Sequence, residues 1–310
     1  MLSLSSSLRN RGRIMKILTL IAVTALHAIS YPALAETDFN THPRFDIDPK
    51  LGVAGDFSGT YKYWKDTQAI EQFASIQTNS DNEWKMNGKN MDIVEDDFHP
   101  GHLAVDEGEK LVNLWEHREA GFKSCLGAGT TTLEGIAANY PMYDAKLGKV
   151  LTLEARIEHC AKKVLWQNFK QGSPVNASIA LYLKSLSDGL PIQIDVDSGP
   201  MKEAYLRGET LFYKRIGQLN FACASCHTPG SIMGNRLRGE VPSTPFGDVS
   251  HYPTYRSPVG EVEVLHKRFM RCLKQMRAKP LKPGDPAYVD LEVFYTSMSN
   301  GYPIKAPSIR

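Results

Sequence analysis

The chain has 310 residues, enough for two small domains, and its 42% hydrophobic and 23% charged residues are the balance of an ordinary folded protein. Thirty-six Lys and Arg against 34 Asp and Glu leave a formal net charge of +2, which argues against a globally basic nucleic-acid surface and against an acidic tail. Any charged partner is therefore met by a local patch.

Residues 1–35 read as a signal peptide. Arg9, Arg11, Arg13 and Lys16 form a basic n-region, Ile17 to Ile29 is mostly apolar, and Ala33-Leu34-Ala35 is a small-x-small cleavage site. The apolar run falls short of the roughly 20 residues a membrane span needs. Met15 is a second possible start, and the alternative to cleavage is an uncleaved anchor. The expectation is an exported, periplasmic chain beginning near Glu36, with no membrane span after cleavage and no nucleic-acid partner. Residues 36–105 form an N-terminal extension without a usable motif.

From residue 106 the chain repeats itself. Tyr140-Pro141-x-Tyr143, Gly148, Val150, Leu153, Arg156 and Cys160 recur at an offset of 112 as Tyr252-Pro253-x-Tyr255, Gly260, Val262, Leu265, Arg268 and Cys272. The offset continues from Ser185–Ile192 into Ser297–Ile304, and Gly108-Glu109-Lys110-Leu111 is mirrored by Gly208-Glu209-Thr210-Leu211. A long match at one offset implies two copies of one domain, placed here at 106–195 and 196–310. Each copy reads as three helices: about 107–121 and 203–218, about 151–165 and 261–277, and a third ending at Asp188-Gly189 or Asn300-Gly301, a helix-stop signal reinforced by the following proline. Few stretches look like strands. The expected fold is all-α, a tandem pair of cytochrome c-like domains.

All five cysteines (Cys125, Cys160, Cys223, Cys226, Cys272) lie beyond the signal peptide, in a compartment where disulfides persist. Cys223-Ala224-Ser225-Cys226-His227 is a C-x-x-C-H haem attachment motif. Two thiols three positions apart reach both vinyl groups of a porphyrin edge, and the adjacent histidine lies beneath the iron. A redox C-x-x-C would want a βαβ context, and a zinc site a second Cys/His pair; neither is present. The first copy has Cys125-Leu126-Gly127-Ala128-Gly129 at this place. It lacks the second cysteine and the histidine, so one covalent haem c is expected, in the second copy alone. With haem gone, Cys125 and Cys160 occupy places that can close on each other as a disulfide; the alternative is two buried thiols.

Cys272 remains. It lies on the helix expected to face the distal side of the haem, with Arg268 one turn before it and Lys267, Arg271, Lys274 and Arg277 nearby. Positive charge favours a thiolate and can receive an anion. The alternative is a solvated basic helix with Met233, Met270 or Met276 on the iron.

The run Phe221–His227, then Tyr252-Pro253-Thr254-Tyr255-Arg256, then Leu265-His266-Lys267-Arg268-Phe269-Met270-Arg271-Cys272 resembles the SoxA family, cytochrome subunits of SoxAX complexes in periplasmic thiosulfate oxidation. The resemblance implies an L-cysteine S-thiosulfotransferase that couples thiosulfate oxidatively to a cysteine of a SoxYZ-like carrier. It implies Cys272 as catalytic residue, iron ligand and bearer of a persulfide, with Arg268 as the substrate-binding residue. It also implies a SoxX-like cytochrome partner, with room for a third small subunit. The degenerate first copy resembles monohaem members, in which a Cys125–Cys160 bridge is expected. Arg256 and Lys267 are the next candidates for holding the anion. A thiosulfate dehydrogenase and a plain electron-transfer cytochrome are the alternatives.

Overall fold

The computed structural model describes residues 99–130, 132–227 and 247–309. Residues 1–35, expected to be a signal peptide, most of the 36–105 segment and Met233 lie outside the described residues. The first copy runs α1 (Pro100–Arg118), α2 (Phe122–Leu126), a 3-10 turn (Ile136–Asn139), a hairpin of β1 (Met142–Asp144) and β2 (Lys149–Leu151), α3 (Leu153–Val164) and α4 (Pro174–Ser185). The second repeats that order with α5 (Gly199–Tyr213), α6 (Ala224–His227), a 3-10 turn (Asp248–His251), β3 (Thr254–Arg256), β4 (Glu261–Glu263), α7 (Leu265–Gln275) and α8 (Pro286–Ser297).

The architecture is helix-rich, as expected, and each copy adds one short hairpin. Met142 pairs with Leu151 and Thr254 with Glu263, so the registers match copy for copy. A strand of three residues spans too little alternation for periodicity to register. Turn chemistry carries the signal instead. Gly148 and Gly260 sit at φ +64° and +75°, a region closed to most side chains, and Asp144 Oδ1 accepts from Lys146 N at 2.8 Å and Leu147 N at 3.0 Å.

Helix limits differ from expectation in ways the caps explain. Helix α1 starts at Pro100, ahead of residue 106, because His99 Nδ1 accepts from Gly101 N at 3.0 Å and proline suits the first turn. Helix α5 stops at Tyr213 instead of 218, where Lys214 turns extended. Residues 261–263 belong to β4, so α7 begins only at Leu265.

The matched glycines of the Gly-Glu-x-Leu segments mark helix crossings. A Cβ on Gly108 of α1 would lie 2.2 Å from Ser178 O of α4, and one on Gly208 of α5 would lie 2.0 Å from Asp290 O of α8. Only glycine lets the first and last helices of each copy approach so closely. Helices α4 and α8 start alike: Ser173 and Asp285 cap them through Asn176 N and Ala287 N, each followed by proline.

The copies meet about a local two-fold axis. Gly189 N donates to Ile304 O and Gly301 N to Ile192 O, both at 2.9 Å, while Ile192 N donates to Tyr302 O and Ile304 N to Leu190 O. Each bond has a twin in which both residues are replaced by their copies, the pattern of an isologous contact. Ala138, Leu181, Ile192, Ile194, Ile304 and Ala306 form the apolar part of this interface.

Beside it lie four buried ionisable side chains: Glu154 and Lys184 from the first copy, His266 and Glu292 from the second. His266 Nδ1 accepts from Gly284 N at 3.0 Å, so Nε2 carries the proton facing Glu292 Oε2 at 3.1 Å. Burial, reinforced by the charge of Glu292, pushes Glu154 up to about 7. Burial pulls Lys184 down to about 8. Burial lowers His266, but its bond to Glu292 outweighs this and holds it above the ordinary histidine value.

Candidate haem site

The attachment motif forms a single helical turn. Cys226 N and His227 N both bond to Cys223 O, at 3.0 and 3.1 Å, and Ser225 Oγ accepts from Ala222 N at 3.0 Å. The turn places Cys223, Cys226 and His227 together on one wall of a cavity of about 480 Å³. That size lies within the roughly 300–1,000 Å³ usual for cofactor pockets. The opposite wall is the inward face of α7, carrying Arg268, Phe269, Cys272 and, at its end, Met276. Leu211, Phe212, Tyr288 and Tyr295 make much of the remainder apolar and aromatic.

His227 faces Cys272. The imidazole is among the groups that lower the Cys272 thiol, and the His227 ring stands edge-on to Tyr295 with centroids 6.0 Å apart. Tyr295 OH donates to Asp248 Oδ2 at 2.8 Å, burying a carboxylate at the cavity's edge.

The three thiols differ in kind. Burial raises Cys272, but the Arg268 guanidinium and the contact with His227 outweigh it and hold the thiol below its ordinary value. Cys223 goes the other way, pushed up to about 12 by burial and by the neighbouring sulfurs of Cys272 and Cys226. Cys226 is also raised, chiefly by burial. One cavity therefore holds two neutral thiols beside the histidine and one thiolate-prone sulfur opposite.

This set fits a haem c: two thiols and a histidine on one wall, a soft sulfur facing that histidine, and apolar walls between. Among the described residues, no group of three or more His, Cys, Asp or Glu is arranged to hold a bare metal ion. Of the methionines considered, Met276 lines the cavity one turn beyond Cys272, whereas Met270 does not and Met233 lies outside the described residues. Lys267 is turned away, its Nζ bound to Glu261 Oε1 at 3.1 Å. Arg256 does reach the cavity.

In the first copy the corresponding sulfurs meet. Cys125 on α2 and Cys160 on α3 have Sγ atoms 2.07 Å apart and Cα atoms 5.6 Å apart, at bonding distance. Around them pack Phe122, Leu126, Ile157 and Ala161. Arg156, the copy of Arg268, is bound by the Asp144 carboxylate and donates from Nε to Tyr140 OH at 3.0 Å.

Sequence reasoning did not single out Asp248, Tyr295 or Glu263. Aligning the copies at the offset of 112 would have found all three, since Ile136, Leu183 and Leu151 stand at their places.

Comparison with known proteins agrees with the two-copy reading. A family model described as SoxA/TsdA, cytochrome c domain, matches residues 108–192 and 207–304. The L-cysteine S-thiosulfotransferase subunit SoxA of Chlorobaculum tepidum is 31% identical over 296 residues, 94% of this chain and 95% of that protein. Its counterpart from Allochromatium vinosum is 33% identical over 224 residues, 72% and 77% of the two chains. A chain in the crystal structure of SoxXA from P. pantotrophus superposes with a TM-score of 0.63 at 25% identity, covering 72% of this chain and 83% of that one. With both copies matched and relatives aligned over nearly its whole length, the chain belongs to the SoxA family of cytochromes c.

Proposed function

We propose that this chain is the catalytic subunit of a periplasmic L-cysteine S-thiosulfotransferase, with one covalent haem c in its second copy and none in its first. The observation that carries the reading is the meeting of His227 and Cys272 across one cavity, with Arg268 a turn before the sulfur. The net reaction is carrier–SH + S₂O₃²⁻ → carrier–S–SSO₃⁻ + H⁺ + 2e⁻: a sulfur–sulfur bond forms, the thiol loses its proton, and two electrons leave. Cys223, Cys226 and His227 would hold haem c, which would supply a one-electron acceptor.

The chain's own residues supply the rest. Arg268 pairs its planar guanidinium with sulfonate oxygens. The same charge favours the ionised, nucleophilic form of Cys272. The apolar walls exclude water and so strengthen both interactions. Because one haem takes one electron, a SoxX-like cytochrome is the acceptor for the second, and a SoxYZ-like protein presents the cysteine. In the first copy the Cys125–Cys160 bridge and the packed core stand where a second haem would need space. No helix among the described residues is long and apolar enough to cross a membrane.

The family model spans both SoxA and TsdA, so a thiosulfate dehydrogenase is the competing reading. Product analysis separates the two. Thiosulfate should be consumed only when a cysteine-bearing carrier is present, and the carrier should gain a thiosulfonate. Tetrathionate formed without any carrier would establish the dehydrogenase instead.

A further inference from the structure

The two copies treat the same arginine differently. In the first, Arg156 is neutralised by Asp144, with Tyr140 OH as its second partner. In the second, Arg268 and Tyr252 keep their places, but the position of Asp144 is Arg256 and that of Leu151 is Glu263. The hairpins superpose in register, Asp144 opposite Lys149 and Arg256 opposite Glu261. A carboxylate beside the arginine has thus been exchanged for a second guanidinium.

That guanidinium is braced. Glu263, fully buried, places Oε2 3.6 Å from Arg256 Nε and Oε1 2.5 Å from Arg271 Nε. Arg256 itself is buried, and Arg256, Arg268 and Arg271 all line the cavity that holds Cys272. Against these three charges stand Glu263 and Asp248, the latter bonded by Tyr295. Arg256 is buried while Arg268 and Arg271 are part-exposed, so three guanidinium groups meet at one cavity wall that suits an anion.

We infer that Arg256 is a second anion-binding residue, forming with Arg268 a two-guanidinium clamp for the sulfonate end of a dianionic substrate, and that Glu263 is the positioning residue that holds Arg256 in place. The inference rests on the reading of this cavity as a thiosulfate site. Two forks offer a tetrahedral oxyanion more donors than one arginine can. A haem carboxylate shares that oxyanion chemistry, and the experiment separates the two sources.

Thiosulfate binding is measured by calorimetry on the haem-loaded protein without carrier, and turnover is measured separately with carrier. Arg256→Gln should weaken binding and raise KM by roughly 10- to 100-fold, the loss of one charge-assisted pair, with kcat, haem content and midpoint potential little changed. Arg256→Lys should restore most of the affinity. Glu263→Gln should raise KM less than Arg256→Gln and leave kcat unchanged. The double variant Arg256→Asp/Glu263→Leu rebuilds the first copy's arrangement, which this chain already folds around Arg156. It should bind no thiosulfate although Arg268 and Cys272 are intact. An unchanged dissociation constant in Arg256→Gln, or a wild type that binds no thiosulfate, overturns the inference. A shifted haem potential with unchanged affinity assigns Arg256 to a haem carboxylate and overturns it as well. If affinity falls as expected but the wild type never modifies a carrier, the clamp stands and the transferase reading fails.

Discussion

Replacing Cys125 and Cys160 together by Ala removes the only disulfide among the described residues, and its effect can be worked from the loop it closes. The bridge spans a sequence separation of 35; in the chain-entropy model, opening such a loop releases about 4 kcal/mol of denatured-state entropy. Cys160 is fully buried between Ile157 and Ala161, so losing its sulfur adds a packing cost of about 1 kcal/mol. With a urea slope of about 2 kcal/mol/M, the unfolding midpoint of the first copy should fall by about 2.5 M. The slope itself should rise, because the unbridged chain exposes more surface when unfolded. The assay is far-UV circular dichroism of the haem-loaded protein, with the Soret band read in parallel as a report on the second copy. Reduction by a mild thiol should reproduce the shift in the wild type, since Cys223 and Cys226 would be inert to it as the thioethers proposed above. A midpoint moved by less than about 0.5 M would refute the reasoning.

A pyridine haemochrome assay should return one haem per chain, resistant to acid-acetone; two would contradict the reading of the first copy. Arg268→Ala should lower kcat/KM for thiosulfate by roughly 10- to 100-fold without loss of haem, and an unchanged dependence on thiosulfate would place the anion elsewhere. The contact between the copies should titrate. Glu154, ordinarily near 4.5, is held up to about 7, so the folded state binds more protons than the unfolded one in that window. Stability is therefore greatest below it and falls as pH rises towards 7. Glu154→Gln should flatten the dependence of the urea midpoint on pH, and an equally steep slope in that variant would contradict the assignment.

What the sequence disclosed and what it hid follow from the range of each signal. The haem motif is local, with Cys223, Cys226 and His227 in one helical turn, so spacing alone reads it. The repeat is visible because both copies need glycine where helices cross at Gly108 and Gly208, and a stop at Gly189 and Gly301. The hairpins escape notice because three residues of strand carry too little pattern. Glu263 sits between Val262 and Val264 like a solvent-facing strand residue, yet the hairpin turns it inward to Arg256 of the paired strand and Arg271 of α7. Glu154, Lys184, His266 and Glu292 look like ordinary charges on separate helices. Only the docking of one copy on the other buries them together. Cys272 stands between these cases: its lack of a partner is arithmetic, but its meeting with His227 needs the fold.

The central claim is that the Cys272 sulfur serves both as axial ligand and as the reactive sulfur. The most direct test is Cys272→Met, examined by its absorption spectrum and by transfer of thiosulfate to a cysteine-bearing carrier. A thioether is a competent axial ligand but offers no thiolate. The variant should therefore keep a low-spin haem while transfer falls to background. A low-spin Cys272→Met protein that still modifies the carrier at near-normal rate would contradict the account and leave this chain an electron-transfer cytochrome.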